Sequence, residues 1–394
     1  MLRITGFLFI LPLFLMGQQR QKLLFDFNSC SLLEKNQATA AILAKNPSVC
    51  KCGLEQDAIE LNNQSLTLPT TIDTFFYSDF SLGFSIAIES GSGNLDILSK
   101  MINCNADTSF YIIYQSSDSS FVCTMQQGFD KIVQLVGKAD PSKCWQQVFI
   151  TRTLGFFRLF INGELKDEQS ENFVLRLNNN VPIRFNQSPC NFVTRIQALL
   201  DQLILANYSM NSSEIKSEII LQDEILTSDT LIFLGASVAI RALSNCPGLV
   251  QWTPVSGLSN AMILNPIASP IQQTKYFFRA IHGFCNATDS LLIRVIDTSK
   301  IDCSNLKLPT AFTPNQDQLN DKFFISNNYI IDQLNYFDIM DRNGSVMSRF
   351  TNPKETWDGT WNGKELMPGT YYYRIAYTCK GQEYKTKGSF FLMK

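Results

Sequence analysis

Trp145-Gln146-Gln147-Val148-Phe149-Ile150-Thr151-Arg152, then Phe156-Phe157-Arg158-Leu159-Phe160-Ile161 and the dipeptide Asn162-Gly163, decide the fold. After Trp145 the residues alternate with the two-residue period of a pleated strand. Asn-Gly supplies the left-handed backbone of a tight hairpin turn, so the chain is expected to reverse there. Upstream, Phe80 to Ile88, Phe110 to Gln115 and Ser120 to Thr124 are further β-prone runs separated by Asn, Ser and Gly turns. Many short strands at this spacing predict a sandwich or jelly roll across residues 18–225.

Two further β units follow. Between residues 226 and 300, Ser237 to Ala242, Val250 to Thr253, Lys275 to Ala280 and Asp289 to Val295 are expected strands. Trp252 lies between Cys246 and Cys285, an immunoglobulin-like arrangement that predicts a Cys246–Cys285 bridge. Residues 301–394 hold a turn-rich stretch, Phe312 to Asp321, and a strand, Leu334 to Asp341, before the turn Asn343-Gly344. Trp357-Asp358-Gly359, Trp361-Asn362-Gly363 and Pro368-Gly369 then precede the aromatic run Tyr371 to Tyr377 and a last strand, Ser389 to Met393. Cys303 and Cys379 are the expected bridge of this unit. The fold class is therefore all-β: a jelly-roll sandwich followed by two small Ig-like β-sandwich modules.

Three resemblances refine this. Trp145 to Leu165, with Leu200 to Ile215 as a closing strand and short helix, resembles the laminin-G-like domain of the concanavalin-A-like superfamily. Asn211 or Ser212 would cap the helix. The string Trp252 to Asn260 resembles an element of PKD-like modules, which implies a spacer. Residues 301–394 resemble the gliding-motility-associated C-terminal domain, the type B sorting domain of the type IX secretion system. The matching positions include Phe312, Pro314, Asn315, Trp357, Asp358, Gly359, Gly363, Pro368, Gly369, Tyr371 and Lys394. Gln316 and Gln318 stand where that family has glycine, and Asn343 where it has tryptophan. The resemblance implies the type IX secretion machinery as a partner. The basic stretch Lys380 to Lys394, with four Lys and one Glu, fits recognition through long-range attraction. The resemblance also implies that the loop of Asn315, Asp317, Asn320 and Asp321 could hold a hard cation, calcium, as a cofactor through its oxygens; the plain alternative is a solvated turn.

Composition agrees with export. The first three residues, Met1-Leu2-Arg3, the apolar stretch Ile4 to Met16, and Gly17 read as a signal peptide over residues 1–17, too short to span a membrane. Eleven Cys then imply disulfides in an oxidising compartment. Seven of them, Cys30, Cys50, Cys52, Cys104, Cys123, Cys144 and Cys190, lie in the first domain, so at least one is free or pairs between chains. A net charge of −2 argues against a nucleic-acid partner, which needs a basic field. With His282 as the single histidine, zinc ligation and Ser-His or Cys-His catalysis have little to work with.

Function follows from the cargo. A laminin-G-like sandwich presents loops or a concave sheet face to a glycan or a protein, and Tyr77, Tyr111, Tyr114 and Phe129 are the candidate stacking aromatics. The expectation is a non-catalytic adhesin at the cell surface or secreted. The alternatives are a carbohydrate-active enzyme of the same superfamily and a purely structural envelope protein. Glycosidases need two carboxylates at a set separation. Glu164, Asp167 and Glu168 read instead as a polar rim, Trp145 and Phe160 as core, and Asp201 as fixing a strand end.

Overall fold

The computed structural model describes residues 19–36, 42–43, 50–62, 64–105, 107–246, 248–317 and 319–393. The expected signal peptide, Gln318 and Lys394 lie outside them. The chain forms two compact units, Met1–Arg294 and Val295–Lys394.

The first unit is built on a two-sheet sandwich. One sheet runs, in spatial order, through Glu164–Ser170, Phe156–Ile161, Trp145–Thr153, Phe80–Ser90, Gln197–Ala206, Asp57–Glu60 and Cys50–Cys52, with Lys22–Phe25 also on Gln197–Ala206. The other runs through Lys131–Lys138, Ser120–Gln127, Thr108–Gln115, Asn94–Lys100, Arg184–Phe185, Leu66–Thr67 and Ile42–Leu43. Alternation sends Phe80, Leu82, Phe84 and Ile86 into the shared core with Val148, Ile150, Phe110, Ile112, Phe121 and Met125. The Asn162-Gly163 turn has φ of 53° and 78°, which is why that dipeptide closes the hairpin.

The outer face of the first sheet is covered. Phe149, Phe160, Ile204 and Ala206 pack under Met210 and Ile215 of the segment carrying the helix Ser212–Glu218. A Cβ at Gly83 would overlap the Phe149 ring, so glycine is what lets that ring lie across the neighbouring strand. Asn211 caps the helix, accepting from Ser213 N and Glu214 N, while Glu214 accepts from Asn211 N at 2.8 Å. The exposed edges of the two sheets are joined by side chains. Asp167 Oδ2 accepts from Val136 N at 2.8 Å, and Gln169 Nε2 donates to Gln134 O at 2.8 Å. Those bonds satisfy an edge that would otherwise present free backbone groups to another chain.

Residues 226–294 add a four-stranded sheet in the order Thr230–Phe233, Asn286–Ile296, Thr274–Ile281, Leu249–Thr253. Trp252 is its buried centre, 4.9 Å from Phe278, with Nε1 donating to Ile263 O. The expected Cys246–Cys285 bridge does not form. Cys246 pairs with Cys52, and Cys285 with Cys144. Both cysteines sit in loops, outside the strands flanking Trp252, so they reach the sandwich and not each other. Asn245 Nδ2 donates to Gly53 O at 3.1 Å and Thr288 N to Ser142 O at 2.9 Å across the same junction. The module is thus stapled to the sandwich. The remaining pairs are Cys30–Cys50 and Cys104–Cys190, and Cys123 is a free, buried thiol.

The second unit is a five-stranded sheet in the order Ala311–Phe312, Gln382–Leu392, Gly369–Cys379, Gln333–Met340, Val346–Phe350. Its core packs Phe312, Phe323, Phe337, Trp357 and Phe390 together, with Phe323 stacked on Phe390 at 3.7 Å. Cys303 is bonded to Cys379 here.

Candidate functional site

The outer face of the sandwich's second sheet is open along its edge strand and closed over its middle, where Ser99, Ile113, Val122 and Thr124 are buried. Register places Ser99, Tyr111, Thr124 and Gln134 in one row across four strands, and Ile113, Val122 and Val136 in the next. None of these belongs to the central core, whereas their alternating neighbours do. Gln134 and Val136 are exposed at the edge, while Thr124 and Val122 are buried in the middle of the face.

A loop, residues 186–194, borders this face. Its base is Asn186, fully buried with a φ of 57°, a conformation asparagine tolerates. Asn186 Nδ2 donates to Leu61 O at 2.6 Å, Gln64 O at 3.0 Å and Ile196 O at 3.0 Å, and Oδ1 accepts from Ile196 N. Cys190 ties the loop to Cys104, and Asp96 Oδ2 accepts from Ser188 N at 2.6 Å. Burial pushes the Asp96 carboxyl up to about 7, against the opposing pull of the Ser188 and Gln187 amides and Arg195. The loop carries Phe192, 52% exposed, with its ring 6.2 Å from that of Tyr111. Two aromatic rings thus stand side by side, one on an anchored loop and one on the sheet face.

Of the four aromatics singled out from the sequence, Tyr111 alone stands in this row. Tyr114 packs on core Phe121 at 5.1 Å, and Tyr77 and Phe129 are exposed elsewhere. Sequence reading missed Phe192. Its one signal is position: an aromatic two residues after a cysteine in a turn-rich stretch.

The carboxylates singled out from the sequence take part in local contacts. Glu164 pairs with Lys166 at 2.6 Å, Glu168 pairs with Arg158, and Asp167 holds the sheet edge. Asp201 is not at a strand end but at a bulge inside Gln197–Ala206. It is fully buried and accepts from Leu54 N at 2.8 Å and Gln202 N at 2.7 Å, clasping the turn at residues 53–56; burial lifts its carboxyl to about 7. His282 Nε2 lies 3.0 Å from Asp223 Oδ2, and Ser244 Oγ donates to Asp223 Oδ1 at 2.5 Å. The hydroxyl therefore meets the carboxylate and not the imidazole, which is not the serine–histidine contact of a hydrolase triad. Cys144 lies near this pair, but its sulfur is spent on Cys285 and is no metal ligand.

A cleft of about 680 Å³ opens between the sandwich and the stapled module, lined by Lys51, Glu89, Trp145, Asn245, His282 and Phe284. Trp145, expected in the core, is buried, and it lies on the sheet's outer side against this cleft. Lys51 spans Glu60 at 2.7 Å and Glu89 at 3.2 Å, so its ammonium serves the cleft wall.

In the second unit the sorting-motif residues converge. Phe312 and Trp357 are buried together at 5.6 Å, and Trp357 Nε1 donates to Thr360 O at 2.9 Å. Asp358 accepts from Thr360 N and Oγ1, and Gly359, at a φ of 83°, backs onto Pro314 and Leu392. Gly363 turns the short hairpin Thr360–Trp361/Lys364–Glu365; Tyr371, just after Pro368-Gly369, donates its hydroxyl to Met367 O and packs on Trp357 at 5.7 Å. The motif is thus a packing signature.

The loop oxygens take part in turn-closing hydrogen bonds. Asn315 Oδ1 accepts from Asp317 N, Asp317 Oδ1 from Leu319 N, Asp317 Oδ2 from Asn315 Nδ2, and Asp321 Oδ1 from Gln316 N. Asn320 contributes its backbone carbonyl to Thr313 N. These are the bonds by which Asn and Asp side chains close a turn.

Comparison with known proteins agrees with the two outer domains. Residues 306–392 match the type IX secretion signal domain family, and residues 55–216 match the concanavalin A-like lectin/glucanases superfamily. No curated protein matches the chain. Among solved structures, domain 4 of AbnA, a GH43 extracellular arabinanase from Geobacillus stearothermophilus in complex with arabinotriose, aligns at 14% identity over 50% of this chain and 97% of that one, TM-score 0.40. The binding domain of Paraclostridial Mosquitocidal Protein 1 aligns at 18% identity over 89% and 84%, TM-score 0.40. Trypanosoma rangeli sialidase aligns at 13% identity over 50% of this chain and only 32% of its own, TM-score 0.38.

Proposed function

We propose that this is a surface-exposed or secreted binding protein, exported by the type IX route on its 301–394 unit, whose sandwich holds a glycan against the outer face of its second sheet. The observation that carries the binding reading is the Phe192–Tyr111 pair, fixed by a loop with a buried asparagine at its base and a disulfide along it. Anchoring of this kind lowers the ordering cost of binding. Adhesion is the role such a protein would serve.

Two experiments test the two halves. Deletion of residues 301–394 is expected to leave the chain in the periplasm; normal surface delivery would remove the export reading. For the cargo, the full chain belongs on a glycan array, with and without calcium, because a cut at residue 225 would sever Cys52–Cys246 and Cys144–Cys285. Phe192→Ala and Tyr111→Ala are each expected to weaken retention about 10-fold, the equivalent of about 1.4 kcal/mol. Binding to no glycan, or glycan binding untouched by either substitution, counts against this face. Release of reducing sugar from a polysaccharide would assign the sandwich to catalysis instead.

A further inference from the structure

The outer face of the second unit's sheet concentrates positive charge. Lys387, Arg374, Asp338 and Arg349 stand in one row across four strands. Asp338 is fully buried, and one carboxylate holds both guanidiniums: Arg349 Nε and Nη2 donate to it at 2.6 and 2.7 Å, and Arg374 Nε at 2.8 Å. Hydrogen bonding from Arg349 first, then from Arg374, keeps the Asp338 carboxyl below its ordinary range, despite burial. Both guanidiniums also lie over the Tyr336 ring, at 5.9 and 5.5 Å. Their side chains remain 55% and 48% exposed.

This arrangement is more than a solvated β face. A buried acid orients two cations whose remaining N–H donors are left for something outside. Lys387 forms no ion pair among the described residues, and Lys385, opposite Ala376, is paired with the exposed Glu383 at 3.4 Å. Tyr372 and Val346 lie in the adjacent row, exposed, and Phe391 at the end of the same strand pair. A depression of about 600 Å³ lies among Arg342, Tyr372, Arg374, Lys387 and Ser389. The whole chain carries a net charge of −2, so this surface is a local reversal of sign.

We infer that this face docks an acidic surface of a protein partner in the export machinery, its oriented guanidiniums taking Asp or Glu carboxylates while Tyr372 and its apolar neighbours cover the contact. The inference rests on the export reading above. Fork-shaped guanidiniums match carboxylates in bidentate geometry. An aromatic flank suits the dehydrated centre of a protein interface.

The test is made on the full chain in its own host. Lys385→Glu with Lys387→Glu reverses two charges outside the Asp338 clamp and leaves that clamp intact. Surface delivery, read by protease accessibility and fractionation, is expected to fall at least 10-fold, with accumulation in the periplasm. Lys385→Arg with Lys387→Arg should restore it. Arg342→Glu, in the turn bordering the depression, is a second variant outside the strands, expected to act in the same direction if the double reversal lowers the melting temperature. The deletion of residues 301–394 separates the two readings. If the deletion is retained but both charge-reversed variants are delivered normally, the docking face is wrong and the export reading stands. If the deletion itself is delivered, the export reading fails. Adsorption of the parent to phosphatidylglycerol vesicles at physiological salt, abolished by the same reversal, would make the partner a lipid and overturn the protein assignment.

Discussion

The chain with Cys52, Cys144, Cys246 and Cys285 all replaced by serine is expected to lose its 226–294 module first, well below the parent's melting temperature, while the sandwich stays folded. Cys52–Cys246 and Cys144–Cys285 span sequence separations of 194 and 141 residues. In the chain-entropy model each such loop closure is worth about 5 kcal/mol, and measured losses run from about 2 to 5. The two loops overlap, so their effects will not sum; a combined loss on the order of 5 kcal/mol is expected. That is a large share of a domain's stability. The module itself is small, with Trp252, Tyr276, Phe278 and Leu291 among its few large buried residues, and small cores are marginal alone.

Cys123 supplies the readout that separates the two parts. It is free, buried in the sandwich core, and burial pushes its thiol well up, so alkylation marks unfolding of the sandwich alone. Proteolysis within residues 226–294, with Cys123 still protected, is the expected outcome. Unchanged resistance would mean that Asn245 on Gly53 O and Thr288 on Ser142 O hold the junction without the cross-links.

These cross-links also mark the limit of what the residues reveal on their own. Periodicity and turn chemistry are local, and they read well: strands occupy Trp145–Thr153 and Phe156–Ile161, and Asn162-Gly163 makes the turn. The sorting motif reads equally well because its residues contact one another within one short unit. Even its departures are interpretable. Gln316, where the resembling family has glycine, adopts a φ of 65°, the conformation a glycine would take freely. Cysteine pairing is a tertiary property. Cys246 and Cys285 flank Trp252 in sequence, yet what decides their partners is which way their loops face. Phe192 was illegible for the same reason, since its place beside Tyr111 depends on Asn186 reaching the carbonyls of Leu61 and Gln64, more than 100 residues upstream. Asp201 reads as a strand terminus only if the bulge after it is unknown.

Acidification is expected to act on the two units in opposite senses. Asp96 and Asp201 are buried in the first unit, and burial raises each from 3.8 to about 7. The folded chain then keeps two protons that the unfolded chain releases between those values. Their stabilisation is full below about pH 4 and is lost as pH rises through about 7. A shift of about three units corresponds to roughly 4 kcal/mol per group, and the amides of Ser188, Leu54 and Gln202, which favour the anion, work against it. In the second unit Asp338 and Asp358 are depressed, chiefly by hydrogen bonds from Arg349 and Thr360. Their contribution is present above the ordinary carboxylate pKa and is lost only as pH falls beneath it. Between pH 8 and pH 5, therefore, the urea midpoint of the first unit should rise while that of the second stays level. Amide exchange read unit by unit distinguishes them. Asp96→Asn, whose amide oxygen can still accept from Ser188 N, should flatten the first unit's pH dependence; Asp201→Asn can keep only one of the Leu54 N and Gln202 N bonds, which meet different carboxylate oxygens, so it should flatten that dependence at a further cost in stability. A midpoint that is already flat in the parent would mean that the backbone donors keep both carboxylates ionised. In that case the Ser188 and Leu54 contacts are charge-assisted, and each Asn variant should be destabilised at pH 8 by the loss of that charge.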